Sequence, residues 1–336
     1  MTEEITGKPA EEITEAALRQ PTGAPDKKNK TSTRKRFKRR ERIFIVLMLA
    51  LPVIQWVIFW LTVNVSSISL AFKDPLTGAF TWRNFAQFWE DLTKPYGTIK
   101  IALTNTLEYF AVQMLVTNVL SLIIAYFLYK KIAMYKAFRI FFYLPAIITA
   151  LAMVTVFSEV IAPHGLLGQF MKAIGHPLPP EGLLARSDSA THVIVFYSVW
   201  TGMSTNIMLF SGAMARVPVE ILESAKLDGC SPMREFFQLI LPLITPTITT
   251  IVIITFTAIF TATGPILLFG LDVGTTKTTT ISYWIFEKIY GNGALGGGST
   301  EMYNLVSCTG LCFTVIGVPI ILLVRWLMNK IPTVEY

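Results

Sequence analysis

A chain that does its own chemistry inside a membrane must gather acids, a metal set or a nucleophile with its base between apolar segments. In this sequence such groups are sparse. Glu108 and Glu159 are the acids in or beside long apolar runs. His164, His176 and His192 fall in or at the edge of one polar connection, without HExxH spacing, which favours incidental roles. No GxSxG or GxxxxGK[ST] occurs, and Cys230, Cys308 and Cys312 form neither a CxxC nor a zinc spacing. No catalytic or metal-ligating residue is therefore assigned. The apolar runs hold uncharged polar residues instead: Asn105, Gln113 and Asn118 in one, Asn206 in another, threonines from Thr245 to Thr263, then Asn304 and Ser307. Residues of this kind face a bundle interior, as interhelix glue or as the wall of a polar path. Asn105, Glu108, Asn118, Asn206 and Asn304 are the candidates for lining that path.

The elements that must position them are membrane helices. Of 336 residues, 52% are hydrophobic and 15% charged, where a soluble domain carries about a quarter charged. A membrane helix needs about 20 apolar residues. Six runs meet that need, at about 43–65, 101–129, 140–159, 193–215, 243–268 and 303–325, which predicts an all-α integral membrane protein. The uncharged run Phe236–Leu271 exceeds one straight span, and Pro242 and Gly264-Pro265 are expected to mark its ends. Residues 1–42 read as a disordered tail whose block Lys27–Arg42 carries ten Lys or Arg against Glu41 alone. Next to a span, that block reads as a cytoplasmic juxtamembrane anchor on lipid, not a nucleic-acid arm. Basic connections alternate with mixed-sign ones, which predicts both termini in the cytoplasm, 329–336 being the C-terminal one. Lys73–Lys100, Ala162–His192 and Asp272–Glu301 are then outer loops, with Trp82-Arg83-Asn84-Phe85 and Phe88-Trp89 at the interface and Gly291–Ser299 a flexible turn.

The most substantial inner connection is residues 217–242. Pro218 suits a first helical turn, Gly229 a left-handed helix end, Ser231 a cap and Pro232 the first position of a second helix. Met233, Phe236, Phe237 and Ile240 repeat as one apolar face, and Ile221, Leu222 and Ala225 as another. A helix, a glycine turn and a helix between spans are built to be held by a partner.

Glu223-Ser224-Ala225, then Asp228-Gly229, then Ile240-Leu241-Pro242, resemble the EAA loop of membrane subunits of bacterial ABC importers. The family pattern is Glu-Ala-Ala, three residues, Gly, nine residues, Ile-x-Leu-Pro. Here Ser224 replaces the middle Ala, and Leu239 stands in for the Ile of a compressed ending. Ser67–Phe72, Asn84-Phe85, Asn105-Thr106-Leu107, Phe138-Arg139 and Leu144-Pro145 are similar to the sugar-importer branch, first-permease type, and the resemblance covers about residues 43–328. It implies a type-1 ABC transmembrane fold in a bacterial cell membrane. It also implies a second permease subunit, two cytoplasmic ATPase subunits that bind ATP and Mg, and an external solute-binding protein. Glu223, Ser224, Ala225, Asp228, Gly229, Leu241 and Pro242 would be the ATPase-coupling residues, acting through Pro242 on the fifth span. This chain itself would hold no cofactor. The resemblance implies a sugar or oligosaccharide as the solute, and the lack of Lys or Arg within a span for an anion accords with a neutral one; a phosphate ester, a polyamine or an integral membrane enzyme are the rivals.

Overall fold

The computed structural model describes residues 27–261, 263–270, 278–291 and 300–331, and the expected turn at Gly291–Ser299 lies almost wholly outside them. The chain forms two compact units, Met1–Ser66 and Ser67–Tyr336.

Helix α1 (Lys27–Gln55), in the first unit, runs through a π-helical turn (Trp56–Leu61) into α2 (Thr62–Ala71), which crosses the boundary at Ser66. The turn lies one turn past Pro52, whose missing N–H already breaks the i→i−4 ladder. The segment Arg40–Ala71 is long and apolar enough to cross a membrane. Residues 27–42, expected as disordered tail, are helical. Lys and Arg are good helix formers, and residues 27–51 contain neither Gly nor Pro, so the span's helix extends backward through them. Residues 1–26 of that tail lie outside the described residues.

In the second unit α4 (Thr98–Val112), a π turn (Gln113–Thr117) and α5 (Asn118–Tyr129) make one long span, and α9 (Ala190–Met214) and α16 (Thr300–Met328) two more. The expected third span, 140–159, is divided: α6 (Tyr135–Ile147) ends, Ile148 and Thr149 are extended, and α7 (Ala150–Ile161) begins, followed by α8 (Leu166–Ala173). Pro145 precedes the break, which the hydropathy of the run does not mark. The fifth span is bent by 71° between Pro232–Leu243 and Thr245–Ala258. Its upper helix α13 (Thr245–Ala258) stops before α14 (Gly264–Phe269). Pro246 in the first turn of α13 supplies no N–H to continue the helix below it. Counting that bent pair as one, the described residues contain six candidate spans. The last connection carries an unexpected helix, α15 (Ile281–Tyr290), whose Ile281, Tyr283 and Trp284 are buried.

The bundle end that bears α3 (Arg83–Thr93) is closed by polar clamps. Asn84 is buried and donates to the carbonyls of Ala71 and Lys73 at 2.9 and 3.0 Å. Asn304 donates to the same Lys73 carbonyl at 2.8 Å, and Arg83 meets Glu301 at 3.2 Å. These contacts hold the ring cluster of Phe72, Phe80, Trp82 and Phe85 at the bundle end. Phe88 of α3 packs edge-on against Phe313 of α16. Asp74 accepts from the backbone N–H groups of Thr77 and Leu76, which holds its carboxyl below the usual carboxylate range. A depressed folded-state value means that this loop's stabilisation is present above the unfolded value and is lost as acid protonates Asp74.

Candidate functional site

Two places meet the requirements for function: the helical connection at one end of the bundle and a largely apolar cavity with polar groups within it.

The connection begins at Pro218, which takes an extended conformation as the cap of α10 (Val219–Leu227) and so stands one residue outside the helix that it was expected to open. Leu222 turns into the core with Val217, and Ile221 and Ala225 are half-buried. Gly229 takes φ +75°, and the N–H of Cys230 donates to the Ala225 carbonyl at 2.9 Å, which closes the helix end. Ser231 then caps α11 (Pro232–Glu235), its hydroxyl accepting from the Arg234 N–H. The predicted apolar face does not persist as one stripe. A π turn at Phe236–Ile240 precedes α12 (Leu241–Leu243) and alters the register. Phe236 and Ile240 enter the core beside Tyr126, while Met233 and Phe237 face outward.

Glu223, Ser224, Asp228 and Gly229 are exposed; Ala225, Leu241 and Pro242 are half-buried. Leu227 is 89% exposed and Met233 70%, with Glu223, Lys226 and Asp228 around them. Single exposed apolar residues are ordinary. Two beside a glycine turn, rimmed by charges, form a surface that another protein could cover.

Beneath that surface lies a residue the sequence did not single out. Glu235 is 2% exposed, and both its oxygens accept from Lys130 Nζ, at 2.8 and 2.9 Å. The Tyr126 hydroxyl donates to the Pro232 carbonyl at 2.9 Å, and the Tyr126 and Phe236 rings lie 4.8 Å apart. The partners are about a hundred residues apart along the chain, so no local spacing could have paired them.

The cavity, about 380 Å³, lies between the second, fourth and fifth spans. Thr106, Tyr109, Gln113, Ser198, Thr205 and Asn206 supply most of its polar wall, Phe110 and Ile254 part of its apolar wall, and among the described residues no charged side chain lines it. Gln113 opens the π turn of the second span, the kind of helix irregularity that re-aims a side chain. Thr117 Oγ1 donates to Gln113 Oε1 at 3.2 Å. The Tyr109 hydroxyl is buried without a hydrogen-bond partner among the described residues. One side is fixed by a polar hub: Asn206 Nδ2 donates to Asn118 Oδ1 at 2.8 Å, and Asn118 Nδ2 to Thr255 Oγ1 at 3.3 Å.

The five candidate path residues are thus placed differently. Asn206 lines the cavity, and Asn118 is engaged in the hub beside it. Asn105 donates to the Thr279 carbonyl at 2.9 Å, while the neighbouring Thr106 accepts from the Ile281 N–H, so this pair docks the entry to α15. Asn105 and Glu108 also line a separate cavity of about 330 Å³ with Lys100, Asp188 and His192, the last 3.7 Å from Glu108. Arg186 hydrogen-bonds Asp188 there and holds its carboxyl below the usual range. Asn304 serves the Lys73 clamp and lines neither cavity. Tyr109, Thr205 and Ser198 were not anticipated, because uncharged residues in an apolar run carry no mark of which face they occupy.

Gly202 sets the approach of the fourth span to this wall. A Cβ there would stand 2.8 Å from Gln113 Nε2 and 3.3 Å from Thr117 Cγ2. Since the nearer atom ends a flexible side chain, Gly202→Ala is expected to displace the Gln113 amide and leave the backbone in place. Losing the Thr117 bond should lower stability by about 1 kcal/mol. Thermal unfolding of the detergent-purified protein checks the size, and a drop several times larger would place the strain in the backbone.

Comparison with known proteins agrees with this architecture. The family of binding-protein-dependent transport system inner membrane components matches residues 117–332. "Probable ABC transporter permease protein YurN" of Bacillus subtilis (strain 168) is 27% identical over 202 residues, 59% of this chain and 69% of that protein. The "sn-glycerol-3-phosphate transport system permease protein UgpA" of Escherichia coli O6:K15:H31 (strain 536 / UPEC) is 30% identical over 133 residues, 40% of this chain and 43% of that protein, so the match spans less than half of that relative. Among solved structures, a chain of a bacterial ABC transporter involved in the import of the acidic polysaccharide alginate superimposes with TM-score 0.73 at 18% identity, covering 89% of this chain and all of that one. That likeness speaks for the fold, a type-1 ABC transmembrane domain. With the family model matching well over half of its residues, the chain belongs to the binding-protein-dependent transport system inner membrane components, the permease subunits of ABC importers.

Proposed function

We propose that this chain moves a sugar or oligosaccharide, delivered by an external binding protein, through a path that includes the cavity bounded by Tyr109, Gln113 and Asn206. The observation that carries this reading is the chemistry of the wall. Among the described residues, hydroxyls and amides set in an apolar, uncharged wall suit a neutral polyhydroxylated solute, which exchanges water for hydrogen bonds and ring contacts as it passes. A phosphate ester, which the UgpA relative transports by name, would require a cation in the wall; Lys100 lines a separate cavity.

The working assembly in this reading is this chain, a second permease subunit, two ATPase subunits that bind ATP and Mg, and the binding protein. Both termini and the connection 217–242 lie on the cytoplasmic side of the bacterial plasma membrane. The exposed surface of Glu223, Ser224, Ala225, Asp228 and Gly229, with Leu227 and Met233, then seats in the ATPase. Leu241 and Pro242 join that surface to the fifth span, and energy enters through the partner's ATP hydrolysis. Glu223→Cys and Lys226→Cys are expected to crosslink to the ATPase subunit in membranes that contain the whole transporter. Crosslinks to the binding protein instead would reverse the topology. Uptake should favour neutral sugars over glycerol phosphate and putrescine in a competition panel, and preference for either charged solute would refute the assignment of the wall.

A further inference from the structure

We infer that the Lys130–Glu235 ion pair is the joint through which displacement of the 217–242 connection reaches the second span and, with it, the cavity wall. This rests on the reading of that connection as the ATPase-coupling element. The motif directs attention to Pro242 and the fifth span, but that joint is compliant. Between α11 and α13 the chain passes a π turn and a 71° bend. A push along α10 can be absorbed there by a change of angle, since hinges are the few element-terminal residues that take up such motion.

The joint to the second span is of another kind. Lys130 holds both Glu235 oxygens within 2.9 Å, and Glu235 is almost wholly removed from solvent. A pair this buried resists separation, because parting it would leave the acid without water or cation. The Tyr126–Pro232 hydrogen bond and the Tyr126–Phe236 ring contact brace it one turn away. Above the joint, α5 runs without a break from Tyr129 to Asn118, and Asn118 bonds Asn206 of the fourth span and Thr255 of the fifth. The π turn with Gln113 follows directly. A shift at Lys130 therefore arrives, through one rigid helix, at Asn118 and at its hub partner Asn206, which lines the cavity. Lys130 and Glu235 are positioning residues and touch no solute.

The test uses the complete transporter in proteoliposomes, with nitroxides at Leu120→Cys on α5 and Phe196→Cys on α9. Both sites are exposed, at 41% and 64%. ATP with vanadate is the probe, so no solute need be known. In the parent, trapping should change the interspin distance by about 2 Å, the scale of a helix shift in a packed bundle. The double variant Lys130→Met with Glu235→Met keeps an apolar contact of similar volume, and replacing a buried ion pair in this way is often neutral for stability. That variant should assemble and hydrolyse ATP yet lose the distance change. The exchange Lys130→Glu with Glu235→Lys should restore it. An assembled Met–Met variant with the full parental change would overturn the inference. A Glu223→Cys control crosslinked in the same membranes separates the two ideas: crosslinking with an unaltered distance change refutes this joint alone, whereas no crosslinking to the ATPase refutes the coupling reading and the joint with it.

Discussion

Lys130→Ala is expected to destabilise the protein by about 3–5 kcal/mol, the range for removing one partner of a buried ion pair. The loss comes chiefly from what remains behind. The Glu235 side chain is 3% exposed and the Lys130 side chain 26%. Without Lys130, a carboxylate is left with neither water nor a cation. Glu235→Ala is the milder change, because a lysine stem can extend its ammonium toward solvent. The expected order is therefore Lys130→Ala well below Glu235→Ala, with the Met–Met pair near the parent. Thermal unfolding of the three variants, purified in one detergent, reads this order directly. Equal losses in the two single variants would show that both ends of the pair are equally wet, against the exposures seen here. The order also separates stability from coupling. The single variants lower both, while the Met–Met pair lowers coupling alone.

Much of this molecule could be read from its sequence, for a physical reason. In a bilayer every backbone group must be paired within the segment, so an apolar run of sufficient length has helix as its solution. That rule yields the spans without any knowledge of their neighbours. The cap at Ser231 and the turn at Gly229 were legible on the same ground, since both depend on backbone chemistry over a few residues. What escaped was of two kinds. Backbone direction inside an apolar run leaves no compositional trace, so the break at Ile148-Thr149 and the π turns at Gln113 and Phe236 were invisible to hydropathy. Helix α15 was hidden in the opposite way, inside a connection whose mixed charge reads as loop. The second kind is long-range pairing. Asn105 and Asn304 look like path residues because they are amides in apolar runs, yet they hold the carbonyls of Thr279 and Lys73. Glu235 looks like a surface acid because it falls off the apolar face of Met233, Phe236 and Phe237, yet it meets Lys130 in the core. The residues that the EAA resemblance picks out are, for the most part, on the outside of the loop, and apart from Ile240 those that fasten the loop to the bundle are not its fixed positions.

Gly229→Pro is the change expected to act most strongly on transport. Gly229 has φ +75°, and proline is fixed near −65°, so the native turn is closed to it. The substitution also removes the N–H that donates to the Lys226 carbonyl at 3.1 Å and closes α10. The chain must find another path from α10 to Ser231. Glu223 to Asp228 would then be presented at a new angle, while the spans, which derive nothing from this turn, insert as before. Gly229→Ala provides the control. No atom lies within 4 Å of a Cβ built there, so alanine meets only the intrinsic penalty of the left-handed region, about 1–2 kcal/mol. It should retain the turn and most of the uptake. In membranes that contain the complete transporter, Gly229→Pro should reach parental abundance and lose at least about tenfold in solute uptake per ATP hydrolysed, which corresponds to some 1.4 kcal/mol of coupling. Gly229→Ala should stay within about twofold of the parent, as its strain is taken up by the turn itself. Parental uptake with proline at this position would mean that the geometry of the turn is immaterial. The exposed surface of Leu227 and Met233 would then have to serve as a docking patch that tolerates any angle of approach.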